Sequence, residues 1–139
     1  MSSKEKNKDL IKLFIDEVFN QRSLDSIDKY HATNMTDGTG KTLESFKKSL
    51  AALFSGFPDL RVNIEHLIAE DNLVAVFLEF TGTNKGQFEG KPPTNKQVKI
   101  RSADLYRIEN GRITRHWDVV DRLNLMQQTD TIRFNQTKN

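Results

Sequence analysis

The hydrophobic pattern changes period near residue 60. Before it, apolar residues recur at helical spacing. Between Lys6 and Asn20, Leu10, Ile11, Phe14, Ile15, Val18 and Phe19 fall on one side with charges between them, which predicts an amphipathic helix. Leu24 to Tyr30 predicts a short second helix capped by Ser23. His31 to Lys41 is polar, contains Gly38 and Gly40, and reads as a loop or a frayed strand. Thr42 is placed to cap a third helix with Leu43, Phe46, Leu50, Leu53 and Phe54 on its inner face. Gly56 and Pro58 end it, because glycine accepts a left-handed cap and proline lacks the amide a helix needs.

Beyond residue 60 the period is two. Leu60, Val62, Ile64, His66 and Ile68 alternate with Arg61, Asn63 and Glu65, as a half-buried strand does. Asp71-Asn72 is a turn, and Leu73 to Thr83 is a second strand. Lys85 to Gln97, with Gly86, Gly90, Pro92 and Pro93, is a long loop. Val98 to Asp121 reads as two long strands around Glu109-Asn110-Gly111. A brief helix over Leu123 to Gln128, capped by Asp121, closes the domain. The tail after Thr129 is polar, although Ile132 and Phe134 could dock. Helices followed by strands predict an α+β fold: a cone-shaped, curved antiparallel sheet with the N-terminal helices packed on its concave face. One domain accounts for residues 1–139, with its core over about 8–128. The open end of such a cone is a natural ligand site.

The last hairpin carries the candidate chemistry. Val98, Ile100, Ser102, Asp104, Tyr106 and Ile108 share one face of its first strand. A carboxylate on an otherwise apolar face must be paired, shift its pKa or line a pocket. The turn decides which residues meet it. A two-residue Asn-Gly turn would set Asp104 opposite Trp117 and send His116 to the other face. A three-residue loop would pair Ile108 with Arg112, Asp104 with His116, Ser102 with Asp118 and Tyr106 with Thr114. The three-residue loop is favoured, because it gathers the polar groups on one face and leaves Ala103, Leu105, Ile113 and Trp117 on the other. Opposed Cβ atoms then lie roughly 5 Å apart, so Asp104, His116 and Asp118 could share a small ligand. Tyr106, Ser102 and His116 are candidate donors to a developing oxyanion.

Phe14, Val18, Phe54, Leu78 and Phe80 are expected to form the apolar wall of the pocket, with His66 at its rim. Phe88 and the Pro92-Pro93 loop read as an edge connector or a lid. Leu73, Ala75 and Phe77 break the polar outer face of their strand, so the convex side of the sheet needs a cover. A homodimer through that face is expected, with Trp117 in the core or at the interface.

Composition removes several classes. There is no cysteine, hence no disulfide and no thiolate metal site. The three histidines show no paired helical spacing, so no metal is expected. The net charge of +2, with both signs interspersed, gives no footprint for nucleic acid. No apolar run reaches membrane-spanning length and no signal-peptide core follows Met1; the expected location is the cytoplasm, with no membrane partner.

Three pieces in order carry a resemblance: Phe57-Pro58-Asp59, the loop Gly86-x-Phe88-x-Gly90-x-Pro92-Pro93-Thr94, and Asn110-Gly111 followed by His116-Trp117-Asp118. Over roughly Lys8 to Gln128 the chain resembles the SnoaL-like polyketide cyclases, part of the nuclear transport factor 2-like superfamily of cone-shaped α+β folds. The resemblance implies ring closure by an intramolecular aldol reaction without metal or cofactor, with Asp118 matching the acidic catalytic residue. Asp104 stands where the characterised cyclases have a histidine. The expected function is a small cofactor-independent acid/base enzyme, an aldol-type cyclase or isomerase, acting on an apolar carbonyl compound. Asp118, Asp104 and His116 would carry the chemistry. The alternative is a binding protein that holds a small hydrophobic ligand without chemistry.

Overall fold

The computed structural model describes residues 2–130. The first helix, α1 (Ser3–Phe14), is capped by Ser2, whose hydroxyl accepts from the Glu5 amide. It runs into a π-helical turn over Ile15–Asn20 rather than remaining one regular helix to Asn20. The next helix starts as a 3₁₀ turn, Leu24–Ser26, and continues as α2 (Ile27–Tyr30). Ser23 does not cap it; its hydroxyl pairs with that of Ser26 at 2.7 Å. Glu17 binds this segment back onto the π-helical turn. Its carboxylate accepts from Tyr30, Lys29 and Ser26, and those donors lower its pKa from 4.5 to about 2.

His31–Asp37 is a strand, β1, where the sequence left a loop or a frayed strand. After α3 (Leu43–Gly56), capped by Thr42 as expected, come β2 (Arg61–Glu70), β3 (Leu73–Thr83), β4 (Gln97–Glu109), β5 (Arg112–Val120) and α4 (Arg122–Gln128). The five strands form one sheet in the order β1-β5-β4-β3-β2. β1 runs parallel to β5 at one edge; the other pairings are antiparallel. Asp121 caps α4 through the Asn124 amide, as its position implied. Ile132 and Phe134 lie outside the described residues.

Two bulges set the faces. In β2, Ile64 pairs with Leu78 but His66 pairs with Phe77, so Glu65 is the extra residue. The period-two reading fails there: Val62 and Ile64 face the helices, whereas His66 and Ile68 face outward. In the β4–β5 hairpin the loop is the two-residue Asn110-Gly111 turn, with both residues at positive φ. Ile108 pairs with Ile113, and a bulge at Thr114 then advances the register by one. This corrects the expected three-residue loop. Asp104 lies opposite Asp118, Tyr106 opposite His116, Leu105 opposite Trp117 and Ser102 opposite Val120.

The bulge also preserves the face that the longer loop was meant to explain. Ser102, Asp104, Tyr106, His116 and Asp118 remain together on the inner surface. Ile113 joins them as fully buried core, while Thr114 turns outward and donates to Glu109. β4 alternates buried and less buried residues along its whole length.

The main core lies between the inner surface of the sheet and α1 with its π turn. Ile11, Phe14, Ile15, Val18, Val74, Val76, Leu78, Tyr106 and Ile113 are all essentially inaccessible there. The outer surface is apolar in its centre. Phe77 is 48% exposed, Ile68 60% and Val119 75%, each in a row with Ala103, Ala75, Leu105 or Trp117.

Candidate active site

A cleft of about 740 Å³ opens between α3, α4, the β1–α3 connection and the inner face of β3, β4 and β5. That volume is typical of small-molecule sites. Much of its wall is apolar: Phe19, Met35, Phe46, Leu50, Phe57, Leu60, Phe80, Val98, Ile100 and Leu125. Ser102, Asp104, His116 and Asp118 form a polar patch on the sheet side, and Asp37, Lys41, Glu89 and Arg122 add charge around it. A bidentate ion pair, Arg122 to Glu89 at 2.6 and 2.7 Å, ties α4 to the loop after β3.

The centre of the patch is a three-residue network. Asp104 Oδ2 accepts from the Tyr106 hydroxyl at 3.1 Å and lies 3.1 Å from His116 Nε2. Tyr106 is fully buried. Desolvation, with the Asp104 carboxylate beside it, pushes its phenol well above the ordinary value, so it remains a donor. A protonated Nε2 donates to the Asp104 carboxylate, which sets the edge of the His116 ring that faces Asp104. The imidazole stacks on Tyr106 at 4.4 Å and 20° and meets Phe46 edge-on. Both Asp104 and His116 are buried. Asp104 Oδ1 and Ser102 Oγ are buried with no hydrogen-bond partner among the described residues.

Several expected site residues stand elsewhere. Phe14, Val18 and Leu78 are fully buried core and do not reach the cleft, because the Phe46 and Phe19 rings lie on its surface instead. Tyr106 sits beneath Asp104 and His116 rather than on the wall. Phe54 packs half-buried against the core but outside the cleft. His66 is exposed on the convex face, edge-on to Phe77, because the Glu65 bulge turned it over. Phe80, Ser102, Asp104, His116 and Asp118 do line the cleft. Asp118, however, is exposed, so of the two carboxylates only Asp104 is withdrawn from water.

Met35, Phe46, Phe57 and Ile100 went unnoticed as wall residues. Phe46 and Phe57 carried a signal, an aromatic on the inner face of α3 and one just past its end. Trp117 lies outside, between Arg107 and Arg115 at 5.4 and 5.1 Å, and covers Gly38 so closely that a Cβ there would meet the indole. Among the described residues no cluster of three or more His, Asp or Glu is arranged to hold a metal ion. No helix among them is long and apolar enough to cross a membrane.

Comparison with solved structures finds the same architecture repeatedly. A candidate polyketide cyclase from Acidithiobacillus ferrooxidans is 31% identical, with a TM-score of 0.81 over 94% of this chain and 99% of that one. AclR from Streptomyces galilaeus, described as a candidate hydroxylase, superposes with a TM-score of 0.88 at 23% identity, over 94% of this chain and all of that one. A SnoaL-like candidate polyketide cyclase from Jannaschia sp. CCS1 gives 0.84 at 22% identity, over 96% and 98% of the two chains. These neighbours share the nuclear transport factor 2-like fold. None of the curated proteins matches the chain. The family model for SnoaL-like polyketide cyclases matches residues 9–129, nearly the whole of the described structure. This chain therefore belongs to the SnoaL-like polyketide cyclase family.

Proposed function

We propose that the protein is a cofactor-independent acid/base enzyme acting on a small apolar carbonyl compound, by an aldol-type cyclisation or an isomerisation. The observation that carries this reading is the buried Asp104–His116 pair on the wall of a largely apolar cleft. Asp104 removes a proton from the carbon beside a carbonyl, and the Ser102 hydroxyl donates to the enolate oxygen that forms. In a cyclisation the enolate carbon then bonds to a second carbonyl carbon of the same molecule. The proton held by Asp104 passes to the new alkoxide, so no other reactant is consumed. His116, held by hydrogen bond and stacking, keeps the carboxylate oriented. Asp118, opposite Asp104 and open to solvent, is placed to exchange that proton with water. Membership of the family and the polyketide cyclase description of the Acidithiobacillus relative support this reading.

The direct test is hydrogen–deuterium exchange at the carbon beside the carbonyl of 2-tetralone in D₂O, followed by NMR. The native protein should accelerate exchange above buffer, and an exchange rate equal to buffer refutes the proposal. We further propose that a second copy covers the convex face, where Ile68, Phe77 and Val119 lie exposed.

A further inference from the structure

On the opposite side of the cleft from the polar patch, one charged contact is made against the preference of its backbone. Phe88 and Lys91 exchange both backbone hydrogen bonds, at 3.1 and 3.0 Å, around Glu89 and Gly90. These two central residues have positive φ, 51° and 77°, the pattern of a type I′ turn. Such a turn favours Asn, Asp or Gly at its first central position, because the left-handed region crowds a longer side chain. Glu89 holds that position here. Its carboxylate meets Arg122, the first residue of α4, with both oxygens on the single nitrogen Nη2 at 2.6 and 2.7 Å. Nε and Nη1 of Arg122 have no hydrogen-bond partner among the described residues. As a fastener the pair is weak. Its side chains are 53% and 42% exposed, and ion pairs at that exposure add little to stability. Both residues line the cleft, so Arg122 presents a guanidinium there with most of its donors unused.

We propose that Arg122 binds the carboxylate of a ligand whose apolar body fills the cleft, and that Glu89 holds the guanidinium in the ligand's absence. An arginine fork recognises a carboxylate best through two parallel hydrogen bonds from two nitrogens. Glu89 supplies the right group but reaches only one nitrogen. A ligand carboxylate can align with two, and the strained turn is then free to relax. Asp104 and Asp118, on the sheet side, repel an anion, which orients the charged end of the ligand toward α4. The rings of Phe19, Phe57, Phe80 and Phe88 take the apolar body. None of the atoms given a role in proton transfer is used. This adds one charged substituent to the carbonyl compound of the proposed function. It rests on that reading for the carbonyl, but its test needs no turnover.

Isothermal titration calorimetry at pH 7.5 with 4-acetylbenzoate and its methyl ester is the test. The ester keeps the ring and the ketone without the charge, so it reports whether the cleft of each variant is intact. Glu89→Gln removes the competing charge and should tighten 4-acetylbenzoate roughly three- to ten-fold. Arg122→Gln should weaken the acid roughly ten-fold. The affinity of the ester should change less than about two-fold in both. In the double variant Glu89→Gln/Arg122→Gln the gain from Glu89→Gln should vanish, which separates competition for Arg122 from the mere loss of a negative charge. Unchanged or weaker acid binding in Glu89→Gln overturns the proposal. So does unchanged acid binding in Arg122→Gln, a gain that persists in the double variant, or an ester affinity that shifts in parallel with the acid. Absence of acid binding at millimolar concentration by both the native protein and Glu89→Gln overturns it as well. Acid binding that depends on Arg122, with ketone exchange no faster than buffer, would sink the catalytic reading alone. Accelerated exchange, with acid binding indifferent to Arg122, would sink this one alone.

Discussion

Stability should fall between neutral and mildly acidic pH because of one histidine. His31 is buried at the start of β1, its Nδ1 2.7 Å from the Ile27 carbonyl, its ring edge-on to Phe14 and tilted against Phe46. Desolvation lowers its pKa from 6.5 to about 4; the Ile27 carbonyl pulls the other way but does not offset it, and His116 adds to the lowering. The unfolded chain takes up a proton near pH 6.5 that the folded chain refuses until about pH 4. Stability is therefore fully present above the unfolded value and is lost as pH falls through that window. At 1.36 kcal/mol per unit, the loss between pH 7.5 and 5.0 is about 2 kcal/mol, nearing 3 by pH 4.

Glu17 acts in a lower window. Its pKa of about 2 makes its contribution disappear only as pH drops below 4.5. Urea denaturation at pH 7.5 and 5.0, for the native protein and His31→Asn, isolates the term. Asparagine can still donate to Ile27 but does not titrate. The native protein should lose about 2 kcal/mol more than the variant over this interval. Equal losses in the two proteins would refute the reasoning.

Three other perturbations probe separate parts of the account. Tyr106→Phe removes one of the two contacts on Asp104 Oδ2 and should cost about 1.5–3 kcal/mol in thermal or chemical denaturation, the usual worth of a hydrogen bond to a charged group. Gly86→Ala drives a Cβ into the Ser55 carbonyl, so the segment after β3 should lift from α3 and its amides should lose protection from hydrogen exchange. Phe77→Glu places a charge in the exposed outer row. Sedimentation should show a native dimer and a monomeric variant of unchanged fold, and a native monomer would refute the proposed pairing.

The helices and four of the five strands were legible because their periodicity is strong and their ends are marked. Thr42, Gly56 and Pro58 delimit α3, and Leu73 to Thr83 matches β3 residue for residue. The bulges were not legible. Neither Glu65 nor Thr114 differs in type from an ordinary strand residue, yet each moves the register by one. At Glu65 this sent His66 outward. At Thr114 it cancelled the shorter turn, so Ser102, Asp104, His116 and Asp118 kept the inner face, while Thr114 and Ile113 exchanged sides and every cross-strand partner changed. β1 was obscured because an edge strand made of His-Ala-Thr-Asn-Met-Thr-Asp buries only alternate or fewer side chains. Which aromatics face the cleft and which lie behind it depends on how α3 sits above the sheet. Nothing local to Phe14 or Phe46 encodes that placement.

The central claim is that Asp104, rather than the solvent-exposed Asp118, takes the proton from carbon. Exchange of 2-tetralone in D₂O, compared across the native protein, Asp104→Asn and Asp118→Asn, addresses it directly. Asp104→Asn should lose roughly 10²- to 10⁴-fold of the acceleration, the ordinary share of a general base, and Asp118→Asn should lose clearly less. An Asp104→Asn protein that exchanges the ketone as fast as the native one would contradict the account.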